Sequence, residues 1–139
     1  MRIVIDSNVL FSALIKDSAT RKIILEYDEF FLFPSYIFDE MEKHKEELLQ
    51  KSRISIEDFE KLLQLILKRV LIVAPEVLKT HKEDAIEIIK DIDLNDALFI
   101  ACALAYPESV IWSDDKKMKQ QKRIRIINTF EMIGFLEKR

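Results

Sequence analysis

The stretch 1–10, MRIVIDSNVL, decides how the rest of the chain is read. Ile3, Val4 and Ile5 are consecutive and β-branched, so Arg2 to Ile5 reads as a short strand buried on both faces, as central strands of parallel sheets are. Asp6 follows at once. In open parallel sheets, ligands bind just beyond the carboxyl ends of the strands, which puts this carboxylate where a metal ligand would stand. Asp6, Ser7 and Asn8 are also good helix caps, so the position alone leaves both readings open.

Working outward, strands and helices alternate. A helical stretch is expected from about Val9. The apolar run Phe30 to Phe33 ends at Pro34, and Ile37, Met41, His44 and Leu48 then recur at helical spacing. Ser55 and Asp58 resemble a capping box opening a helix from Ile56 to about Lys68, whose apolar face carries Phe59, Leu62, Leu63 and Ile66. Lys45 to Lys68 therefore reads as a helical hairpin.

A strand at Val70 to Val73 closes at Pro75, and an amphipathic helix is expected from about Val77 to Lys90. The helix Asn95 to Ala105 is apolar almost all round, so it should be central. Val110 to Trp112 and Ile124 to Ile127 read as further strands, and Asn128 with Glu131 opens a last helix. Parallel neighbours need crossover connections, so this alternation predicts an α/β fold, a mostly parallel sheet with helices on both faces. One domain over residues 1–139 is the expectation for this length.

Composition removes several classes of function. The chain is 49% hydrophobic and 34% charged, which suits a packed core rather than a disordered segment. Its formal charge of -3 argues against a domain that coats nucleic acid by electrostatics alone. Gly134 is the only glycine, so glycine-rich nucleotide-binding loops are excluded. With Cys102 as the only cysteine, no internal disulfide or multi-cysteine zinc cage can form, and a reducing, cytoplasmic setting is expected. No signal peptide and no apolar run of about 18 residues is present, so neither export nor a membrane span is expected.

The remaining chemistry lies in carboxylates. Asp96 opens the uncharged stretch 97–106, ALFIACALAY, and so stands close to the core, although Asp93 and Asp96 also resemble a capping box. Glu40 flanks the apolar stripe of its helix, which leaves a cleft-facing reading open, while within DEMEKHKEE a solvated glutamate is the plain expectation and Asp39 and Glu42 are the decoys. Asp114 and Asp115 follow the strand ending at Trp112, so Ser113-Asp114-Asp115 reads either as a ligand-holding strand end or as a turn and helix start. A parallel sheet gathers these positions on one edge. Clustered carboxylates repel one another and call for a cation, and an all-oxygen set suits Mg²⁺ or Mn²⁺. The implied chemistry is metal-assisted phosphodiester hydrolysis, which needs no nucleophilic side chain.

IVIDSNVL at 3–10, FDEME at 38–42, DLNDALFIACAL at 93–104 and IWSDDKKM at 111–118 together resemble the PIN-domain family, in the family's order and over nearly the whole chain. The resemblance implies a three-layer α/β/α sandwich and a ribonuclease using Mg²⁺ or Mn²⁺. Asp6, Glu40 and Asp96 match the first three acidic positions. Asp115 matches the last residue of a Thr/Ser-x-Asp pattern, with Asp114 the alternative and Asn8 and Ser113 as supporting polar residues. Stand-alone members of this length resemble toxins of toxin-antitoxin pairs, which implies a homodimer and an antitoxin partner. Because other members have lost activity, a catalytically silent module binding RNA or a protein is the alternative.

Lys116, Lys117, Lys119, Lys122, Arg123 and Arg125 form a basic run expected to stand beside the site and hold RNA phosphates, or else to be a solvated face. His44 and His81 are expected to be structural or surface residues.

Overall fold

The computed structural model describes residues 2–138, so Met1 and Arg139, the ends of the expected 1–139 domain, lie outside the described residues. Five strands, β1 (Ile3–Ile5), β2 (Phe31–Pro34), β3 (Val70–Val73), β4 (Val110–Trp112) and β5 (Ile126–Ile127), pair in the order β3-β2-β1-β4-β5, each pairing parallel. The helices are α1 (Ser7–Ile15), α2 (Ala19–Glu26), α3 (Ile37–Ser52), α4 (Ile56–Leu67), α5 (Pro75–Ile89), α6 (Ala97–Ala105) and α7 (Thr129–Glu137).

The strand order follows from the connections. From β1 to β2 to β3 the chain steps across the sheet in one direction, and the return from β3 to β4 runs the other way past β2 and β1. Right-handed crossovers therefore place α1 to α4 on one face and α5 with α6 on the other. The contacts agree: α6 packs on β1, β2 and β4 and beneath α5, while α1 packs with α2, α3 and α4. The result is the three-layer α/β/α sandwich with a parallel sheet that the resemblance implies.

Burial explains the strand composition. Ile3, Val4 and Ile5 are all 0% exposed, since helices cover both faces of β1. The uncharged α6 buries Phe99, Ile100, Ala101, Cys102 and Ala103 because sheet lies below it and α5 above. At the edge strand β3 the apolar run is only half covered, and Leu71 is exposed.

Three boundaries differ from the expected ones. The helical stretch expected from about Val9 consists of two helices, α1 and α2, and α1 already begins at Ser7. The break carries no glycine or proline. Arg21 instead reaches back from α2, its Nε donating to Ala13 O at 2.7 Å, and so satisfies carbonyls left open at the end of α1. The helix expected from Asn95 begins as a tight 3₁₀ turn, Leu94–Asp96, before α6. The last strand is only Ile126–Ile127.

The expected hairpin is α3 and α4, turned at Arg53, whose φ of 58° takes up the left-handed position that ends many helices. Ser55 caps α4 through Asp58 N–H at 3.1 Å, and Asn128 with Glu131 forms a full capping box on α7.

Candidate functional site

β1 and β4 are neighbours, yet the chain leaves β1 toward β2 and leaves β4 toward β5. Their carboxyl ends therefore open a crevice, the point in such sheets where ligands bind. Asp6 N–H donates to Trp112 O at 3.3 Å, carrying the β1–β4 ladder one step into this crevice. A cleft of 410 Å³ opens there, lined by Asp6, Asn8, Glu40, Lys43, Asp96 and Asp115, with Tyr36 and Phe99 in its wall. Four acidic positions separated by up to 109 residues of sequence (115 − 6) are thus brought to one hollow.

Each acid arrives by a different local device. Asp6 caps α1, its Oδ1 accepting from Val9 N–H at 2.8 Å, and is 5% exposed. Its Oδ2 accepts a short hydrogen bond from the Ser113 hydroxyl. Ser113 is itself buried, and its Oγ accepts from Asp115 N–H at 3.1 Å, so one serine ties the ends of β1 and β4 together. Asp115 Oδ1 accepts from Lys117 N–H at 3.0 Å at the start of the 3₁₀ turn Lys116–Gln120. Glu40 reaches the cleft from the first turn of α3, its Oε2 3.4 Å from His44 Nε2. Asp39 and Glu42 on the same helix are exposed.

Asp96 is the exception among the caps. It stands where a capping residue would stand, but its side chain makes no capping bond, and its Oδ2 is buried without a hydrogen-bond partner. Capping of the turn falls to Asp93, whose Oδ1 accepts from Asn95 N–H at 3.0 Å, so the expected capping-box pairing of Asp93 and Asp96 is not formed. Burial, and then the charges of Asp93, Asp115 and Asp6, push the Asp96 carboxyl from its ordinary 3.8 up to about 6. Burial likewise raises Asp6, against the Ser113 and Val9 hydrogen bonds that lower it.

One carboxylate oxygen from each of Asp93, Asp96 and Asp115 lies within 4.8 Å of the others. A buried, unpartnered carboxylate oxygen beside two further carboxylates is unfavourable on its own and becomes favourable once a cation joins it. Hard oxygen donors of this kind match a divalent ion. The residues present therefore fit a metal.

Asp114 points elsewhere. Its carboxylate accepts from Thr129 N–H and from Thr129 Oγ–H, each at 2.7 Å, and the same hydroxyl accepts from Trp112 Nε1 at 3.0 Å. It fastens α7 to β4. The basic run is also divided. Lys117 is close enough for its charge to oppose the upward shift of Asp96. Lys119 pairs with Glu131, and Arg123 and Arg125 line a hollow with Ser109 and Val110 at the opposite, amino-terminal edge of the sheet. Sequence reasoning passed over Asp93 as a member of the acid cluster and did not single out Lys43 or Tyr36. Tyr36 shares a hydrogen bond of 2.9 Å with Ser7 Oγ.

Fold and cleft define a class: a three-layer α/β/α protein with an acidic, metal-compatible crevice at the carboxyl edge of a parallel sheet. The sequence matches the PIN domain family over residues 4–128, and the chain belongs to that family, which is of nuclease type. A comparison with curated proteins gave no match. Among the described residues no helix is long and apolar enough to cross a membrane.

Proposed function

We propose that this protein is a metal-dependent ribonuclease that hydrolyses RNA phosphodiester bonds in the acidic cleft, with Asp6, Glu40, Asp96 and Asp115 as its metal-holding carboxylates. The observation that carries the reading is the buried, unpartnered Asp96 Oδ2. A structural cap would have found a backbone N–H, and a merely solvated acid would be exposed. Asp93, within the same 4.8 Å cluster, joins the set as a residue that adds negative charge beside Asp96.

Bound Mg²⁺ or Mn²⁺ would supply an activated water and offset charge on the leaving oxygen. The chain's own residues prepare that chemistry. Ser113 holds Asp6 and the Asp115 backbone in one arrangement, and Asn8 adds a polar group at the rim. Lys43 and Lys117 place positive charge near the carboxylates, where phosphate oxygens of RNA would come to rest. The family likeness extends the reading to a homodimer, and to a toxin silenced by an antitoxin protein. Exposed Phe38 and Leu94, which stand on elements bordering the cleft, support a partner near this edge. Light scattering on the purified protein reads the dimer directly.

The deciding experiment is cleavage of a mixed RNA pool by the purified protein with Mn²⁺, with EDTA, and with Asp96→Asn. Cleavage that needs Mn²⁺ and is reduced at least about a hundredfold by the substitution is expected, the scale of losing one essential electrostatic group. A folded protein inert in Mn²⁺ would leave the silent binding module as the better account.

A further inference from the structure

A second groove meets the acidic cleft along the seam between α1 and α3. It has a volume of 570 Å³, and its walls include Asn8, Phe11, Lys16, Glu40, His44 and Lys51. Ser7, Asn8 and Glu40 line both hollows, so the groove begins where the cleft ends. Asn8 to Lys16 spans eight helical steps, about 12 Å at the usual rise, which gives the groove the reach of a short run of nucleotides.

Its chemistry is unlike the cleft's. Phe11 and His44 stand with ring centroids 5.5 Å apart and planes inclined at 56°, and both are only partly buried. Phe11 packs against the hydrophobic core and, being only partly buried, also contributes to the groove wall. Beyond the rings, Lys16 ends α1 and Lys51 lies in the last turn of α3. Glu40 and Glu47 also face this space: Lys51 pairs with Glu47 at 2.8 Å, and the His44 ring is held between them, 3.4 Å from Glu40 and 3.7 Å from Glu47. An aromatic pair followed by a cation, here Lys16, suits a single strand: bases stack on rings without regard to sequence, and a phosphate meets the charge.

We infer that the α1–α3 groove is the track along which single-stranded RNA approaches the acidic cleft, a base stacking against the Phe11–His44 pair and the backbone lying against Lys16. The inference rests on the ribonuclease reading above and adds the path of its substrate. It also explains why a chain of net charge -3 needs no large basic face, since stacking supplies part of the affinity.

The test is Mn²⁺-dependent cleavage of a fluorescein-labelled ten-nucleotide single-stranded RNA by wild type, Phe11→Leu, Phe11→Tyr and Lys16→Gln, with melting curves for each. Phe11→Leu should raise KM about tenfold, with a smaller change in kcat, the scale of one lost base–ring stack. Phe11→Tyr keeps the ring and should restore KM. Lys16→Gln, at an exposed position, should raise KM severalfold and flatten its salt dependence by about one phosphate contact. If wild type cleaves while Phe11→Leu and Lys16→Gln keep its KM, the RNA track is wrong, the ribonuclease reading stands, and the groove falls to a protein segment. If folded wild type does not cleave at all, both readings fall together.

Discussion

At the scale of single residues, the site depends on Ser113 as much as on the acids. Its hydroxyl donates to Asp6 and accepts from Asp115 N–H at 3.1 Å in a buried position, and the bond to Asp6 lowers a pKa that burial raises. Ser113→Ala leaves two buried polar groups short of a partner, which costs about 1–3 kcal/mol of stability. It should also weaken Mn²⁺ binding about 10- to 100-fold, the usual effect of losing a group that orients metal ligands, and move binding to higher pH because Asp6 then holds its proton more firmly. Calorimetric titration with Mn²⁺ checks this, and an affinity within twofold of wild type would remove Ser113 from the centre. These residues were readable from sequence in unequal measure. Asp6 and Ser113 adjoin strands that are buried apolar triplets, so their placement at a sheet edge followed from counting strands. Asp93 could not be placed, because only the 3₁₀ turn Leu94–Asp96 curls its carboxylate toward Asp96, and nothing in LND announces that turn over ordinary helix.

Elements sort the two aspartates after β4. Asp114 and Asp115 are adjacent and chemically identical, and a strand end followed by a turn sends them in opposite directions: Asp114 to the first residue of α7, Asp115 to the cleft. Asp114→Ala removes two acceptor contacts and a negative charge at a helix start, so it should cost about 1–2 kcal/mol in urea unfolding. Cleavage should stay within about twofold of wild type. Asp115→Asn should do the reverse, holding stability and losing Mn²⁺ affinity and cleavage. If Asp114→Ala abolishes cleavage in a protein that still folds, the alternative assignment is the correct one. The resemblance favoured Asp115, and what turns Asp114 away from the cleft is Thr129, fifteen residues beyond it (129 − 114), which no local pattern connects to it. The division of α1 from α2 has a local mark in the polar triplet Lys16-Asp17-Ser18, with Ser18 at the N-cap of α2, and a non-local one in Arg21, which reaches back across the break.

For the whole molecule, the acid cluster is an electrostatic load that the fold carries and that a bound cation would relieve. Asp96 is held at about 6 against an ordinary 3.8, and Asp6 is raised as well. A carboxyl raised on folding binds its proton more tightly in the native state. The stability it confers is thus complete below the unfolded value and lost as pH rises through the folded one. In EDTA the melting temperature should therefore fall between about pH 4 and pH 7 by more than in Asp96→Asn, which cannot ionise there. At pH 7.5 the metal-free variant should melt about 3 °C above wild type, roughly the shift expected for one kcal/mol in a chain of this size. Mn²⁺ should invert the order: it binds the folded cluster and not the unfolded chain, adding about 2.7 kcal/mol at a hundredfold excess over its Kd. Wild type should then overtake the variant. Scanning calorimetry at two pH values with EDTA or Mn²⁺ reads all of this without an assay for cleavage. If Mn²⁺ leaves the wild-type melting temperature where EDTA does, the acids are not a metal centre, and the cost of burying Asp96 would need another explanation.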